Sequence, residues 1–285
     1  MLYQFSIGQL ECVVVSDGQP APPWEPALND FFTPESGVPE GELRSAATRE
    51  GRSTLVCGYN CLFVNTPDGI AVVDTGLGAS FFGYGKYIEP LVGQLEVGMN
   101  DAGLSRSNLA AVVFTHLHQD HSRGAVWSGE PRFPAAVAFA HAAEVAFWSG
   151  QIDVPSAQPH IEAARETMRL YGEKLRPFED GAEVLPGVHA VLAGGHTPGH
   201  SAILLQSRGE GLLCVGDTFY DPLQLTHPDW ATPWDMDQSV SIASRRAILA
   251  RAADEHLLVH AYHLPFPGLG HVERTATAFS WHPIR

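Results

Sequence analysis

Apolar and polar positions alternate in short bursts along this chain, and turn residues separate the bursts. Two apolar runs, 60–65 and 70–74, flank Thr66-Pro67-Asp68-Gly69, a turn signal that joins two strands. Further strand candidates are 110–114, 136–140, 188–192, 202–206, 212–215 and 257–261. Helical spacing marks 87–100, 160–174 and 239–253; the last places Val240, Ala243, Ala247 and Ala250 on one face. Strands that alternate with helices predict an α/β architecture. The segment 16–51 differs from the rest. It is rich in Pro, Gly and acidic residues, has little periodicity, and carries Trp24, Phe31 and Phe32. It reads as a long ordered arm or lid, with a mobile surface loop as the alternative.

Composition narrows this picture. The 285 residues are 45% apolar, enough for a sizeable core. No internal repeat, low-complexity tract or linker divides them, so a single domain over 1–285 is expected. The N-terminus lacks the basic and apolar regions of a secretory signal, and the longest apolar runs fall far short of a membrane span. The expectation is a soluble cytoplasmic protein. Its four cysteines, Cys12, Cys57, Cys61 and Cys214, have no CxxC spacing and read as reduced; Cys12 and Cys214 read as small buried hydrophobes. The net charge of −15 disfavours nucleic acid and anionic membranes as partners. The pair Arg245-Arg246 reads as one solvated helix face. Fourteen histidines are many, and they direct attention to metal ligands.

The central feature is Thr115-His116-Leu117-His118-Gln119-Asp120-His121, directly after the apolar run 110–114. His116 and His118 are two apart, so in an extended segment their rings share one side and can grip one cation. Asp120 and His121 follow the turn of the chain and can face a second cation beside the first. Zinc accepts this nitrogen and oxygen donor set. Glycines adjoin the later candidates, and no GxSxG elbow or phosphate-cradling loop is present.

This motif resembles the signature of the metallo-β-lactamase superfamily, and other segments match that family in order over about 60–271. Val72-Val73-Asp74-Thr75-Gly76 resembles its strand-end aspartate motif, which implies that Asp74 supports the ligand loop. Gly195-His196-Thr197-Pro198-Gly199-His200 resembles its next ligand segment, Val215-Gly216-Asp217 its shared carboxylate, and Ala261-Tyr262-His263 its last ligand. The resemblance implies a four-layer αββα sandwich with the metal site at the strand-end edge. It also implies two divalent metal ions, zinc first, with Fe, Mn or Co as alternatives. His116, His118 and His196 would hold one ion; Asp120, His121 and His263 the other; Asp217 would be shared. His141, His160, His189, His227, His256, His260, His271 and His282 lack motif context and read as structural or solvated, and His200 stays outside the ligand set.

The implied function is a dinuclear metal-dependent hydrolase that attacks an ester or lactone carbonyl with a bridging hydroxide. Tyr220, three residues after Asp217, stands where acyl-homoserine lactonases carry a carbonyl-binding tyrosine. Asp120 is the candidate proton carrier to the leaving alkoxide. The stretches Asp221-Pro222-Leu223-Gln224 and 263–271 resemble the methyl parathion hydrolase-like branch, which implies phosphotriesterase or arylesterase side activity. Trp24, Phe31, Phe81, Phe82, Trp230 and Trp234 are candidates for an apolar substrate wall. The alternatives are an organophosphate hydrolase, a glyoxalase II-like thioesterase and, in another class, a mononuclear iron sulfur dioxygenase. The tail after His263 carries only Arg274 and Arg285 as cations, which counts against glutathione binding. The expected partner is a small ester or lactone, with a second copy of the chain as a candidate to form a homodimer.

Overall fold

A computed structural model describes residues 1–20, 25–78 and 93–284. Two mixed seven-stranded sheets face each other. The first has the order β1-β2-β3-β4-β5-β8-β9, formed by β1 (Leu2–Ile7), β2 (Leu10–Gly18), β3 (Tyr59–Thr66), β4 (Gly69–Val73), β5 (Leu109–Val113), β8 (Val137–His141) and β9 (Leu175–Phe178). A two-residue hairpin, β6 (Val126–Trp127) with β7 (Glu130–Pro131), lies between β5 and β8 in sequence. The second sheet runs in sequence order through β10 (Glu183–Leu185), β11 (Val188–Leu192), β12 (Ser201–Ser207), β13 (Glu210–Cys214), β14 (Leu258–His260), β15 (Leu269–Arg274) and β16 (Phe279–Pro283).

The strand period of two sorts side chains into three cores. Ala71 and Val73 of β4 and Ala111 and Val113 of β5 face inward. There they meet Ile203 and Leu205 of β12 and Leu212 and Cys214 of β13. Val72 and Val112 point the other way, into a core with the helices Leu28–Phe31, Leu95–Asp101, Ala142–Ser149 and Gln158–Tyr171. Ala202, Leu204 and Leu213 face outward from the second sheet, onto Ile248, Leu249 and Ala252 of the helix Gln238–Asp254. Helix, sheet, sheet, helix is the αββα order that the family resemblance implies. Cys12 and Cys214 both belong to the core between the sheets, and all four cysteines are free.

The hairpin of β3 and β4 turns where the sequence places it, with Leu62 opposite Val73 and Thr66 opposite Gly69. The segment 16–51 holds more regular structure than its composition suggests. It begins inside β2 and contains the helix Glu40–Glu50, which ends on Gly51 at φ 66°. That helix buries only Leu43 and Ala46, too few positions to leave a periodic trace. The candidate helix 87–100 lies partly outside the described residues; within them a helix covers Leu95–Asp101. No described helix is long and apolar enough to cross a membrane.

Candidate metal centre

Four strand ends deliver the ligand segments, one in the first sheet and three in the second. The loop 114–118 leaves β5, and a single helical turn, Gln119–Ser122, follows it. His196 follows β11, Asp217 follows β13 and His263 follows β14. The site therefore sits on one edge of the sandwich, drawing four donors from the first sheet and three from the second. Gly216 precedes Asp217 at φ 49°, and a Cβ there would lie 2.6 Å from His200 Nε2, so only glycine fits.

All seven predicted side chains converge and all are buried. His116, His118, His196 and Asp217 present donor atoms within 4.8 Å of one another, and so do Asp120, His121 and His263. Asp217 lies between the two groups. Its Oδ2 is 3.1 Å from His196 Nε2 and 3.8 Å from His116 Nε2, and its Oδ1 is 2.9 Å from His121 Nε2 and 3.1 Å from His263 Nε2. Asp120 Oδ2 lies 3.7 Å from His121 Nε2 and 3.6 Å from His263 Nε2.

The outer ring nitrogens fix the tautomers. Thr115 Oγ1 gives its proton to Asp74 Oδ2 at 2.7 Å, so it receives one from His116 Nδ1 at 3.1 Å. His121 Nδ1 donates to Asp74 Oδ2 at 2.8 Å, and His263 Nδ1 to Gly58 O at 2.9 Å. Each ring then turns Nε2 inward, where His116 Nε2 has no hydrogen-bond partner and His121 and His263 Nε2 face Asp217 Oδ1 at 2.9 and 3.1 Å without hydrogen-bond geometry. Buried polar atoms rarely stay unpaired. An outer acceptor with an unpaired inner nitrogen is the arrangement that ligating histidines use. His118 Nδ1 and His196 Nε2 approach to 2.9 Å inside the cluster, a separation that two lone pairs tolerate only with a cation or proton between them. The donor set thus fits two divalent cations.

Electrostatics give the same account. Burial and the neighbouring His121 ring push His116 far down, and burial with His160 and His196 does the same to His118. Burial opposes a charge on His121 and His196 too. Nearby carboxylates, Asp217 first, outweigh it and raise them to about 10 and about 9. Burial alone would raise Asp217, but His121, His263 and His196 hold it well below the usual carboxylate range. Protons on the rings here neutralise the carboxylate as a bound cation would.

Several supporting residues escaped the sequence reading. Glu144, on the helix Ala142–Ser149, accepts from Leu117 N at 2.9 Å with Oε1 and from Thr197 Oγ1 and Gly199 N at 2.7 and 3.1 Å with Oε2. It ties the ligand loops of the two sheets together. Asp235 Oδ1 lies 3.3 Å from His196 Nδ1, and Cys57 Sγ lies 3.3 Å from His263 Nδ1. His160, read as structural or solvated, is structural and stands beside the site: its ring stacks on His118 at 3.8 Å, and its Nδ1 accepts from Gln119 N. Arg245 is a correction. It is fully buried, donating to Thr218 O, Pro228 O and Trp230 O, with Asp235 at 3.6 Å; only its neighbour Arg246 is exposed. His200 uses both ring nitrogens on backbone, accepting from Asp217 N and donating to Ala193 O. Asp74, held at φ 54°, also accepts from Thr115 N at 2.8 Å, which offsets its backbone strain.

A cavity of about 650 Å³ opens onto the cluster. Phe31, Tyr59, Tyr220 and Trp234 form much of its wall, with Pro26 and Ala27 at the rim. Trp230 packs instead on Phe32 and His227. Trp24, Phe81 and Phe82 lie outside the described residues. Tyr220 donates from its hydroxyl to Asp217 Oδ2 at 2.8 Å.

The metallo-β-lactamase superfamily model matches residues 54–271, three quarters of the sequence and every ligand segment. The chain belongs to the metallo-β-lactamase superfamily. Among superfamily relatives, a probable metallo-hydrolase of Mycobacterium tuberculosis is 29% identical over 189 residues, covering 58% of this chain and 57% of that protein. An N-acyl homoserine lactonase of a Bacillus species is 26% identical over 172 residues, covering 53% of this chain and 59% of that protein. The chain thus spans less than two thirds of the length of these curated relatives. The solved structure of AidC, a dizinc quorum-quenching lactonase in complex with a product, superposes with a TM-score of 0.87 at 25% identity, covering 100% of this chain and 97% of that one. The hydrolase AbOPH superposes at 0.84 with 22% identity over 100% and 97%, a likeness of fold.

Proposed function

We propose that this superfamily member is a dinuclear metal-dependent hydrolase that opens small uncharged esters, lactones first, with aryl esters and phosphotriesters as side substrates. The observation that carries the reading is the pair of donor groups with inward, unpartnered nitrogens beside the Tyr220 hydroxyl, at the floor of an apolar cavity. In this reading His116, His118 and His196 hold one ion, Asp120, His121 and His263 the other, and Asp217 lies between them. Two bound zinc ions would supply a water acidified to near neutrality and a Lewis acid for the carbonyl oxygen. The lactonase relatives support the lactone preference.

The protein's own groups do the rest. Phe31 and Trp234 cover an acyl chain and exclude water from it. Tyr220 turns its hydroxyl from Asp217 toward the carbonyl oxygen as negative charge develops there. Asp120, at the cavity floor, carries a proton to the departing alkoxide. Apart from the proposed metal ligands and the histidines, the charged residues among the described lining are Glu25 and Asp30, both acidic. That lining disfavours the carboxylates of a glutathione thioester or a β-lactam, and favours neutral substrates.

The test is a substrate panel on metal-quantified protein: acyl-homoserine lactones, simple lactones, aryl esters, paraoxon-type triesters, a glutathione thioester and a β-lactam. Lactones should turn over fastest, and exhaustive chelation should abolish the activity. Turnover that survives chelation, or a preference for the anionic substrates, overturns the reading.

A further inference from the structure

The cavity rim and the tyrosine are parts of one stitched unit. Residues 25–28 pair with 53–55: Leu28 N donates to Ser53 O at 2.9 Å, Leu55 N to Pro26 O at 3.0 Å, and Thr54 Oγ1 to Glu25 Oε2 at 2.8 Å. Pro26 and Ala27 belong to the rim, and Phe31, one helical turn on, packs edge-on against Tyr220 at 5.3 Å. Arg52, at the other end of this stitching, reaches across to the loop that carries the tyrosine. Its Nη1 and Nη2 donate to Asp221 Oδ2 and Oδ1, both at 2.6 Å, and its Nε donates to Glu50 Oε2. Asp221 is 3% exposed and directly follows Tyr220. It also accepts from Leu223 N at 2.9 Å, while Gln224 Oε1 accepts from Tyr220 N at 2.8 Å. The backbone on both sides of the tyrosine is therefore fixed by a short polar network, and among the described residues a forked ion pair links it to the rim segment.

We propose that Arg52 is a positioning residue for Tyr220: through Asp221 it couples the 25–56 segment at the cavity rim to the placement of the tyrosine hydroxyl over Asp217. This rests on the reading of Tyr220 given above. Two parallel N–H···O bonds fix direction as well as distance, which a lysine ammonium does not. Arg52 is partly exposed while Asp221 is buried, so losing the guanidinium also costs some stability, and activity is therefore read only on folded, metal-quantified protein. Its value lies in geometry: the hydroxyl stands at the far end of a rigid ring, beyond a backbone that Asp221 anchors. A rim displaced by an incoming substrate pulls on that anchor.

The coupling is tested with a double-mutant cycle on metal-quantified protein, using Arg52→Gln, Arg52→Lys, Tyr220→Phe and Arg52→Gln with Tyr220→Phe. Lactone hydrolysis should fall about 10-fold in kcat for Arg52→Gln and for Tyr220→Phe alone. The double variant should fall no further than about twofold below Tyr220→Phe, because the two changes remove one function. Arg52→Lys should recover only part of the loss. A second readout does not depend on hydrolysis. In cobalt-substituted protein, Arg52→Gln and Tyr220→Phe should shift the visible absorption bands alike, since each removes the hydroxyl from the shared carboxylate. Multiplicative losses, or full recovery by lysine, or an Arg52→Gln spectrum identical to wild type, would overturn the coupling. Absence of turnover in the wild type with matched spectral shifts would sink the lactonase reading and leave the coupling standing.

Discussion

Replacing Arg245 by Met should destabilise the protein far more than the same change at Arg246, one residue away. Arg245 is fully buried and donates to Thr218 O at 2.7 Å, Pro228 O at 3.0 Å and Trp230 O at 2.8 Å. Trp230 O keeps a second donor, Gln224 Nε2 at 2.9 Å, and Asp235 keeps Thr232 N. Thr218 O and Pro228 O lose this donor in the variant. A buried polar group left unsatisfied costs about 1–3 kcal/mol, so the two together cost about 2–6 kcal/mol. Asp235 loses one of its two buried cationic neighbours and keeps His196 at 3.3 Å, so the charge penalty falls below the about 3–5 kcal/mol of a fully broken buried pair. Relief from burying the guanidinium offsets part of the sum. The net expectation is about 3–5 kcal/mol. With a urea slope of about 3 kcal/mol/M, the unfolding midpoint should move down by about 1–1.7 M at unchanged slope. Arg246 pairs with Asp229 at the surface, and its loss should stay within about 0.5 kcal/mol. Equal midpoints for the two variants would refute the reasoning.

Asp217→Ala and His196→Ala should each lose bound metal on dialysis and nearly all turnover; metal analysis that finds two ions per chain in either variant contradicts the ligand assignment. Tyr220→Phe should lower kcat about 10-fold with metal content unchanged, and unaltered kinetics would return the tyrosine to a packing role. His260, in β14, is buried with Nε2 unpaired, and burial pushes it from 6.5 down to about 3. The unfolded chain takes up a proton there that the fold refuses, so its contribution is present above pH 6.5 and drains away as pH falls toward 3, by about 1.4 kcal/mol per pH unit. His260→Leu should flatten that acid limb in urea titrations at pH 7 and pH 5; parallel limbs would show that the ring does not contribute.

The ligand cluster was legible because each donor follows an apolar strand run, and a strand end with the family's residues in order is a local pattern. The strands β3, β4, β5, β12 and β13 were legible for the same reason, whereas the αββα layering came only from the family resemblance. The supporting residues were not legible. Glu144 acts on Leu117 27 positions earlier and on Gly199 55 positions later, and no local pattern announces such contacts. On the helix Gln238–Asp254 the apolar spacing misled: Val240, Ala243 and Ala247 are exposed, and the buried face is Ser241, Arg245, Ile248, Leu249 and Ala252, a row in which a serine and an arginine interrupt the apolar pattern. The edge strands β9, β10 and β16 are short, β9 and β16 contain proline, and they form because β8, β11 and β15 offer free edges. Helix Glu40–Glu50 buries two side chains in eleven residues and leaves a composition that reads as a loop.

Glu144 has a consequence for anyone who would move this site to another scaffold. The two ligand loops come from different sheets, and the carboxylate that sets their spacing belongs to neither loop. A graft of the histidine and aspartate segments alone would carry the donors without the ruler that spaces them. An intact constellation in a foreign host would then depend on an acid supplied from the flanking helix, at the height where Trp148 Nε1 also donates to it at 2.6 Å.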